Sequence, residues 1–370
     1  MTLKCWWWSM GAVVSIGLLA ACGGQAQKDV APGGTQAAMT VNADRGNDWK
    51  RLFPAYTEWS PYAANLGPLI NSQNLDSCVE ISKTGLSLYF SSNRQDPGVA
   101  SDRDLYVSQR PSVFDPWGPP VRLAMLSSTP YFDSCPALSV DLHRLYFSSG
   151  RPGGCGGSGN DLWMSYRADT SDDFGWGTPV HLACDPAGPN GPGSDLQPDL
   201  FRDDRGREVM YFVSNRAAPG VAAADDLYQA FVAEDGTVGP ATPVTELNSS
   251  VLDTSPAVRR DGREIIFGSQ RPGGSGVAGS IDFWTATRNR TSDPWSTPVF
   301  VASLGVPAAP PAASGAAYTQ GKISLSCDGT QLYFASTRGP SFGDYDLWVA
   351  TRQLRVPWFD YCEDWTYFHR

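Results

Sequence analysis

Acidic side chains recur at one position of a repeated sequence unit, and they are the first residues of this chain that could do chemistry. Four copies place Asp three residues before a Pro or its equivalent, and a fifth has Gln: Asp76, Asp133, Asp195, Asp253 and Gln320. Clustered carboxylates repel one another unless a cation or a basic group compensates them. The spacing therefore predicts a binding site if these side chains meet. The alternative is that each Asp caps its own turn.

Two further carboxylates depart from the repeat. Glu80 and Asp199 stand where the other copies have Ala137, Ala257 and Ser324. A feature that every copy shares usually serves every copy, whereas a departure in one copy is a candidate for a specific role. Glu80 and Asp199 therefore join the same set of candidate binding residues.

The elements that must position these residues are five copies of one unit. Its strongest strand recurs every 55 to 67 residues, as LYFSSNR (88–94), LYFSSGR (145–151), MYFVSNR (210–216), IIFGSQR (265–271) and LYFASTR (332–338). Within each unit, a shorter apolar run precedes this strand and a D-L-W-type strand follows it. A long period of four short strands predicts an all-β fold, a single β-propeller with five blades of four antiparallel strands. Inner strands of a propeller line its channel, so the candidate residues should lie at the channel mouth.

The ring should close by sharing one blade between the two chain ends. The last copy has no fourth strand after Arg352, whereas an orphan fourth strand, WSPYAANLG (59–67), precedes the first copy. We expect this N-terminal strand to complete the last blade, because a closed ring leaves no open edge. A degenerate sixth blade within 302–321 is the alternative.

Every copy also ends its second strand with Arg and opens its third strand with Asp. We predict that these residues form a structural ion pair across one hairpin, and a ring of anion-binding arginines is the alternative. The predicted pairs are Arg94 with Asp104, Arg151 with Asp161, Arg216 with Asp226, Arg271 with Asp282, and Arg338 with Asp346.

The chain ends predict export and a lipid anchor. Residues 1–21 resemble a lipoprotein signal peptide, and Leu19-Ala20-Ala21-Cys22 resembles a bacterial lipobox in which Cys22 is lipidated. Gly23 rather than Asp follows, which by this resemblance favours the outer membrane. A flexible tether is predicted over 22–47, the propeller over 48–352, and an aromatic tail packed on the propeller over 353–370, with partner docking as the alternative role of the tail.

Composition narrows the classes of partner and cofactor. The formal net charge of −10 argues against nucleic acid as a partner. The glycine pattern at 154–159 has no following helix to receive a dinucleotide, so no cofactor is predicted. Beyond Cys22, six cysteines in an exported chain predict three disulfides, with no metal site, since no C-x-x-C occurs and His is scarce. The repeat frame suggests the pairs Cys78 with Cys135, Cys155 with Cys184, and Cys327 with Cys362.

Taken together, D-x-x-P, L-Y-F-S-S-x-R, P-G-G and D-L-W resemble the TolB-like β-propeller repeat family over about residues 76–352. The resemblance implies a periplasmic or envelope propeller. The sequence thus predicts a monomeric, non-catalytic, lipid-anchored envelope protein that binds a protein, peptide or glycan. The alternative is a glycoside hydrolase, since five-bladed propellers that cleave sugars use channel carboxylates, including a Glu general acid.

Overall fold

The computed structural model describes residues 56–95, 102–155, 159–216, 224–305 and 320–355, with the side chain of Gln320 left out. The predicted signal peptide, the tether and almost all of the aromatic tail lie outside these residues, and their boundaries stay predictions. Within the described ranges no helix is long and apolar enough to cross a membrane.

Twenty short strands form five antiparallel sheets of four strands each, which are the five blades that the repeat predicts. The strands of blades one to four are β2 (Asp76–Ile81), β3 (Ser87–Ser92), β4 (Asp104–Gln109), β5 (Val121–Arg122), β6 (Asp133–Leu138), β7 (Arg144–Ser149), β8 (Asp161–Tyr166), β9 (Val180–His181), β10 (Asp195–Arg202), β11 (Glu208–Ser214), β12 (Asp226–Val232), β13 (Thr242–Pro243), β14 (Asp253–Val258), β15 (Glu264–Ser269), β16 (Asp282–Thr287) and β17 (Val299–Phe300). Blade five contains β18 (Gln320–Leu325), β19 (Gln331–Ser336), β20 (Asp346–Thr351) and the N-terminal strand β1 (Ala64–Asn65).

The predicted closure of the ring is confirmed. Strand β1 pairs antiparallel with β20, with Ala64 opposite Val349 and Asn65 opposite Trp348. Hydrogen bonds between the two chain ends therefore hold the seam of the ring shut, and five sheets account for all the strands of the described chain.

Both faces of each blade are buried, which explains the L-Y-F pattern of the second strands. Side chains alternate across a strand, so Tyr146 packs toward blade three while Phe147 packs toward blade one. Five clusters of buried apolar residues result, one between each pair of neighbouring blades. The core is therefore a ring of interfaces around the channel.

Each inner strand contains a β-bulge. In blade one the register advances three residues, from Ser77 to Glu80, while the partner strand advances two, from Ser91 to Tyr89. A bulge re-aims the side chains beyond it. The extra residue adopts a left-handed φ in four blades, at Cys78, Cys135, Gln197 and Ser255. We call the end of the propeller at which the inner strands turn into the second strands the turn face.

Candidate functional site

The four ring aspartates are engaged with their own blades. One carboxylate oxygen of each accepts a backbone N–H from the preceding turn, as in Ser72 to Asp76 at 2.5 Å. The other oxygen forms an ion pair with the arginine that follows the second strand. Those pairs are Asp76–Arg94 at 2.6 Å, Asp133–Arg151 at 2.7 Å, Asp195–Arg216 at 2.7 Å and Asp253–Arg271 at 2.5 Å. All four side chains are inaccessible to solvent, so they cap their turns rather than forming an open acidic site.

The predicted partners of the arginines are therefore wrong. In every blade the arginine Nε donates to a serine hydroxyl two residues earlier, as in Arg94 to Ser92 at 3.0 Å. This contact directs the guanidinium back toward the inner strand rather than across the hairpin. The residues of the predicted pairs, Arg94–Asp104, Arg151–Asp161, Arg216–Asp226, Arg271–Asp282 and Arg338–Asp346, thus lie in the same blades without pairing with each other.

The third-strand aspartates make other contacts. Asp104 forms a bidentate ion pair with Arg122, with N···O distances of 2.5 and 2.8 Å. Asp282 and Asp346 accept backbone N–H groups of the loops that precede them. In the fifth blade, where Gln320 replaces the ring Asp, Arg338 contacts Ser336 and the carbonyl of Leu304. Burial lowers the pKa of Arg338 to about 10.

The bulged residues link the inner strands of different blades. Cys78 and Cys135 join blades one and two through a disulfide. Gln197 Oε1 accepts the backbone N–H of Ser255 at 2.7 Å, which joins blades three and four. Lys322 holds the corresponding position in blade five and is fully buried.

Lys322 crosses the channel. Its Nζ donates to the carbonyl of Pro136 in blade two and lies 3.6 Å from Glu80 Oε2 in blade one. Its positive charge also acts on Asp199 of blade three. Burial lowers the pKa of Lys322, and the nearby carboxylates oppose that effect. The ammonium is the central charge of a cluster that three blades share.

Glu80 is held at both carboxylate oxygens. Oε1 accepts the backbone N–H of Leu138 at 3.3 Å, and Oε2 accepts the hydroxyl of Ser324 at 2.9 Å. Only 6% of the residue is exposed. Glu80 is therefore a fixed carboxylate between blades one, two and five.

Asp199 is the most perturbed carboxyl group of the channel. Its burial, together with the neighbouring charge of Glu80, raises its pKa to about 7, although Lys322 opposes the shift. Oδ2 accepts the backbone N–H of Val258 at 2.7 Å. Within the described residues no hydrogen bond to Oδ1 is found, and 7% of the residue is exposed. Such a group can carry a proton at neutral pH and deliver it.

The structure therefore divides the predicted site residues. The charge of Glu80 acts on Asp199, and the four ring aspartates do not join this pair because they bind the arginines of their own blades. Sequence reasoning missed Lys322 and Arg260, whose charges act on both carboxylates. The repeat could have indicated Lys322, because it is the sole charged residue among the five equivalent bulge positions.

Two predicted disulfides are confirmed, Cys78–Cys135 and Cys155–Cys184. Cys327 is also disulfide-bonded, and its predicted partner Cys362 lies outside the described residues. His181 lies close to Cys155 and Cys184, which would be a metal-binding set if the sulfurs were free. In this structure those sulfurs are bonded to each other.

A cavity of about 360 Å³ lies between blades three and four, away from this cluster. Phe201, Tyr211 and Trp295 are among its lining residues. Neither Glu80 nor Asp199 is among its lining residues.

Comparisons by sequence find no relatives. No family model matches the chain, and no curated protein matches it significantly.

Comparisons of structure find several propellers. The catalytic domain of a GH62 α-L-arabinofuranosidase from Coprinopsis cinerea has 12% identity and a TM-score of 0.52, covering 81% of this chain and 98% of that one. An α-L-arabinofuranosidase from Lactobacillus brevis has 14% identity and a TM-score of 0.52, covering 77% and 92%. A protein of unknown function from Dyadobacter fermentans has 10% identity and a TM-score of 0.50, covering 82% and 100%.

At such identities the likeness establishes the fold. The TolB-like assignment is wrong, because no family model supports it and two of these three structural neighbours are arabinofuranosidases. The expected non-catalytic binding role is corrected as well, since two of the proteins that share this fold are named as glycosidases. The chain is thus similar in fold to five-bladed glycoside hydrolases.

Proposed function

We propose that this protein is a glycoside hydrolase whose acid–base chemistry is carried by Asp199 and Glu80. The observation that carries the proposal is the pair of blade-specific carboxyl groups at the channel, one of which has a pKa raised to about 7 by burial and by the other's charge. Two carboxyl groups whose environments differ in this way are the usual basis of glycosidic cleavage.

The surroundings of the two groups assign their roles. Asp199 is the general acid, because its neutral form is populated near neutral pH and its Oδ1 is unpaired among the described residues. It donates its proton to the oxygen of the departing group. Glu80, which accepts hydrogen bonds at both oxygens, serves as the base or nucleophile on the other side of the sugar.

Lys322 is a positioning residue. When Asp199 gives up its proton, two negative charges face each other in a poorly solvated channel. The ammonium 3.6 Å from Glu80 compensates part of that charge. Lys322 thus stabilises the state that proton transfer creates.

The pH dependence of kcat/KM tests the acid assignment. Because a general acid must be protonated in the free enzyme, activity is present below the pKa of Asp199 and is lost as the pH rises through it. We expect the alkaline limb of the profile to have its midpoint near pH 7, in line with the pKa of about 7. The measurement is initial-rate hydrolysis of 4-nitrophenyl glycosides between about pH 4 and 9.

The substrate panel should include α-L-arabinofuranosides, since two structural neighbours are named as arabinofuranosidases. It should also include pyranosides and uronosides. An alkaline limb that Asp199→Asn leaves in place would assign the proton to another group.

We also propose that the propeller is exported and anchored to the cell envelope through Cys22, as the lipobox-like tetrapeptide predicts. Replacing Cys22 by Ser should move the protein from the membrane fraction to the soluble fraction of the producing cells. Cys5→Ser, in the same leader, is the matched control. Retention of Cys22→Ser in the membrane fraction would refute the anchor.

A further inference from the structure

Two arginines lie at the turn-face end of the channel without carboxylate partners. Arg202 is the last residue of β10, and Arg260 follows the end of β14 by two residues. The backbone N–H of Arg202 donates to the carbonyl of Arg260 at 3.4 Å, so the two residues are neighbours. Among the described residues neither has a carboxylate oxygen within 4.0 Å.

Arg260 reaches across the channel mouth. Its Nη1 donates to the carbonyl of Val140 at 3.4 Å, which takes the side chain from blade four to blade two. The negative charges of Glu80, Asp199 and Glu208 and the positive charge of Arg202 act on it. The guanidinium therefore interacts electrostatically with the two proposed catalytic groups without pairing with either, and its one side-chain hydrogen bond found among the described residues is the one to Val140.

Arg202 also has a hydrogen-bond donor without a partner. Its Nε is buried and has no hydrogen-bond partner in the described part of the chain. The adjacent Arg259 differs, because it already binds Asp261 and Glu264 at 2.8 Å each. An unpaired buried donor on a cation is costly, and two neighbouring guanidinium groups repel each other. Glu208, which lies opposite Arg202 in the sheet, offsets part of this repulsion. A bound anion that accepts from the Arg202 Nε would satisfy the donor that Glu208 leaves unpaired.

We propose that Arg202 and Arg260 form a subsite for the carboxylate of a uronic acid, so that the substrate is an acidic glycoside. This inference rests on the proposed function and names its substrate class. A guanidinium fork binds a planar carboxylate through two parallel N–H···O bonds. The negative charge of Glu80 repels an anion, so the sugar carboxylate binds the arginines while the anomeric carbon faces the catalytic pair. A neutral sugar leaves both arginines unpaired and binds less tightly.

Equilibrium binding of free monosaccharides tests the subsite without requiring catalysis. We would titrate the wild-type protein with D-glucuronate and D-galacturonate, and with glucose and galactose as neutral counterparts, by calorimetry. At least one uronate should bind about 10- to 100-fold more tightly than its neutral counterpart, since hydrogen bonds to charged groups contribute that much. Arg260→Gln and Arg202→Gln should each remove this preference.

Two controls separate the subsite from general effects. Arg263→Gln, which removes an exposed arginine paired with Asp204 in the turn beside Arg260, should keep the preference for uronate. Arg260→Lys retains the charge without the fork, and it should bind uronate more weakly while its thermal unfolding stays close to that of the wild type.

The outcomes distinguish this inference from the proposed function. Equal binding of uronates and neutral sugars by the wild type, or equal competition by inorganic sulfate, overturns the uronate subsite. Uronate binding that depends on Arg260, with no glycoside cleaved, supports the subsite and overturns the hydrolase. Cleavage of neutral glycosides without uronate binding does the reverse.

Discussion

Replacing Asp199 by Asn is expected to lower kcat/KM for glycoside hydrolysis by about 10²- to 10⁴-fold, the usual contribution of a general acid. The loss should depend on the leaving group. A 4-nitrophenolate departs with little help from a proton, whereas an alkyl or sugar alcohol needs one, so the fall should be larger for the second class. The measurement is kcat/KM for a series of aryl and alkyl glycosides of the same sugar.

Glu80→Gln should lower the rate for every leaving group, because a base or nucleophile is needed whatever departs. The matched control is Asp225→Asn. Asp225 is a carboxyl group of blade three whose pKa is also raised by burial, but it precedes β12 rather than facing the channel. Near-equal losses in Asp225→Asn and Asp199→Asn would contradict the assignment, as would an Asp199→Asn loss that ignores the leaving group.

The second large effect is on stability. Lys322→Met should lower the free energy of unfolding by about 3–5 kcal/mol, since removing one partner of a buried ion pair leaves the other charge uncompensated. Glu80, which is only 6% exposed, would lose the positive charge of Lys322 that compensates it. The hydrogen bond from blade five to the carbonyl of Pro136 would also be lost. Urea unfolding with the disulfides intact measures the change.

A double variant identifies the cause. Adding Glu80→Gln to Lys322→Met removes the stranded charge, so the pair should be less destabilised than the sum of the two single changes. Arg263→Met breaks an exposed ion pair with Asp204 and should change stability by less than about 1 kcal/mol. A Lys322→Met loss as small as this, or strict additivity with Glu80→Gln, would show that the buried charges are not coupled.

The sequence predicts the fold well because its information is periodic. The L-Y-F strands place Tyr146 and Phe147 on opposite buried faces, and the orphan strand ahead of the first repeat finds its partner in β20. Two disulfide pairs also follow from the repeat frame, since Cys78 and Cys135 hold equivalent places in neighbouring blades.

The site is harder to predict because it depends on where single side chains point. In four blades one aspartate precedes and one follows the arginine in sequence, and in blade one the contact of Arg94 with Ser92 decides that Asp76 is the partner. A bulge in every inner strand shifts the alternation of side chains, so a period of two cannot show that Lys322 enters the channel. The sequence shows that Glu80 and Asp199 depart from the repeat. It does not show that burial and the charge of Glu80 raise the pKa of Asp199.

The proposal that this propeller cleaves glycosides is tested most directly by observing the product. Proton NMR of the purified wild-type protein with a panel of arabinofuranosides, neutral pyranosides and uronosides would follow the anomeric signals over time. We predict that signals of a free reducing sugar appear for one class, and that they fail to appear over the same period with Glu80→Gln. Unchanged glycosides throughout the panel, or equal cleavage by wild type and Glu80→Gln, would contradict the account.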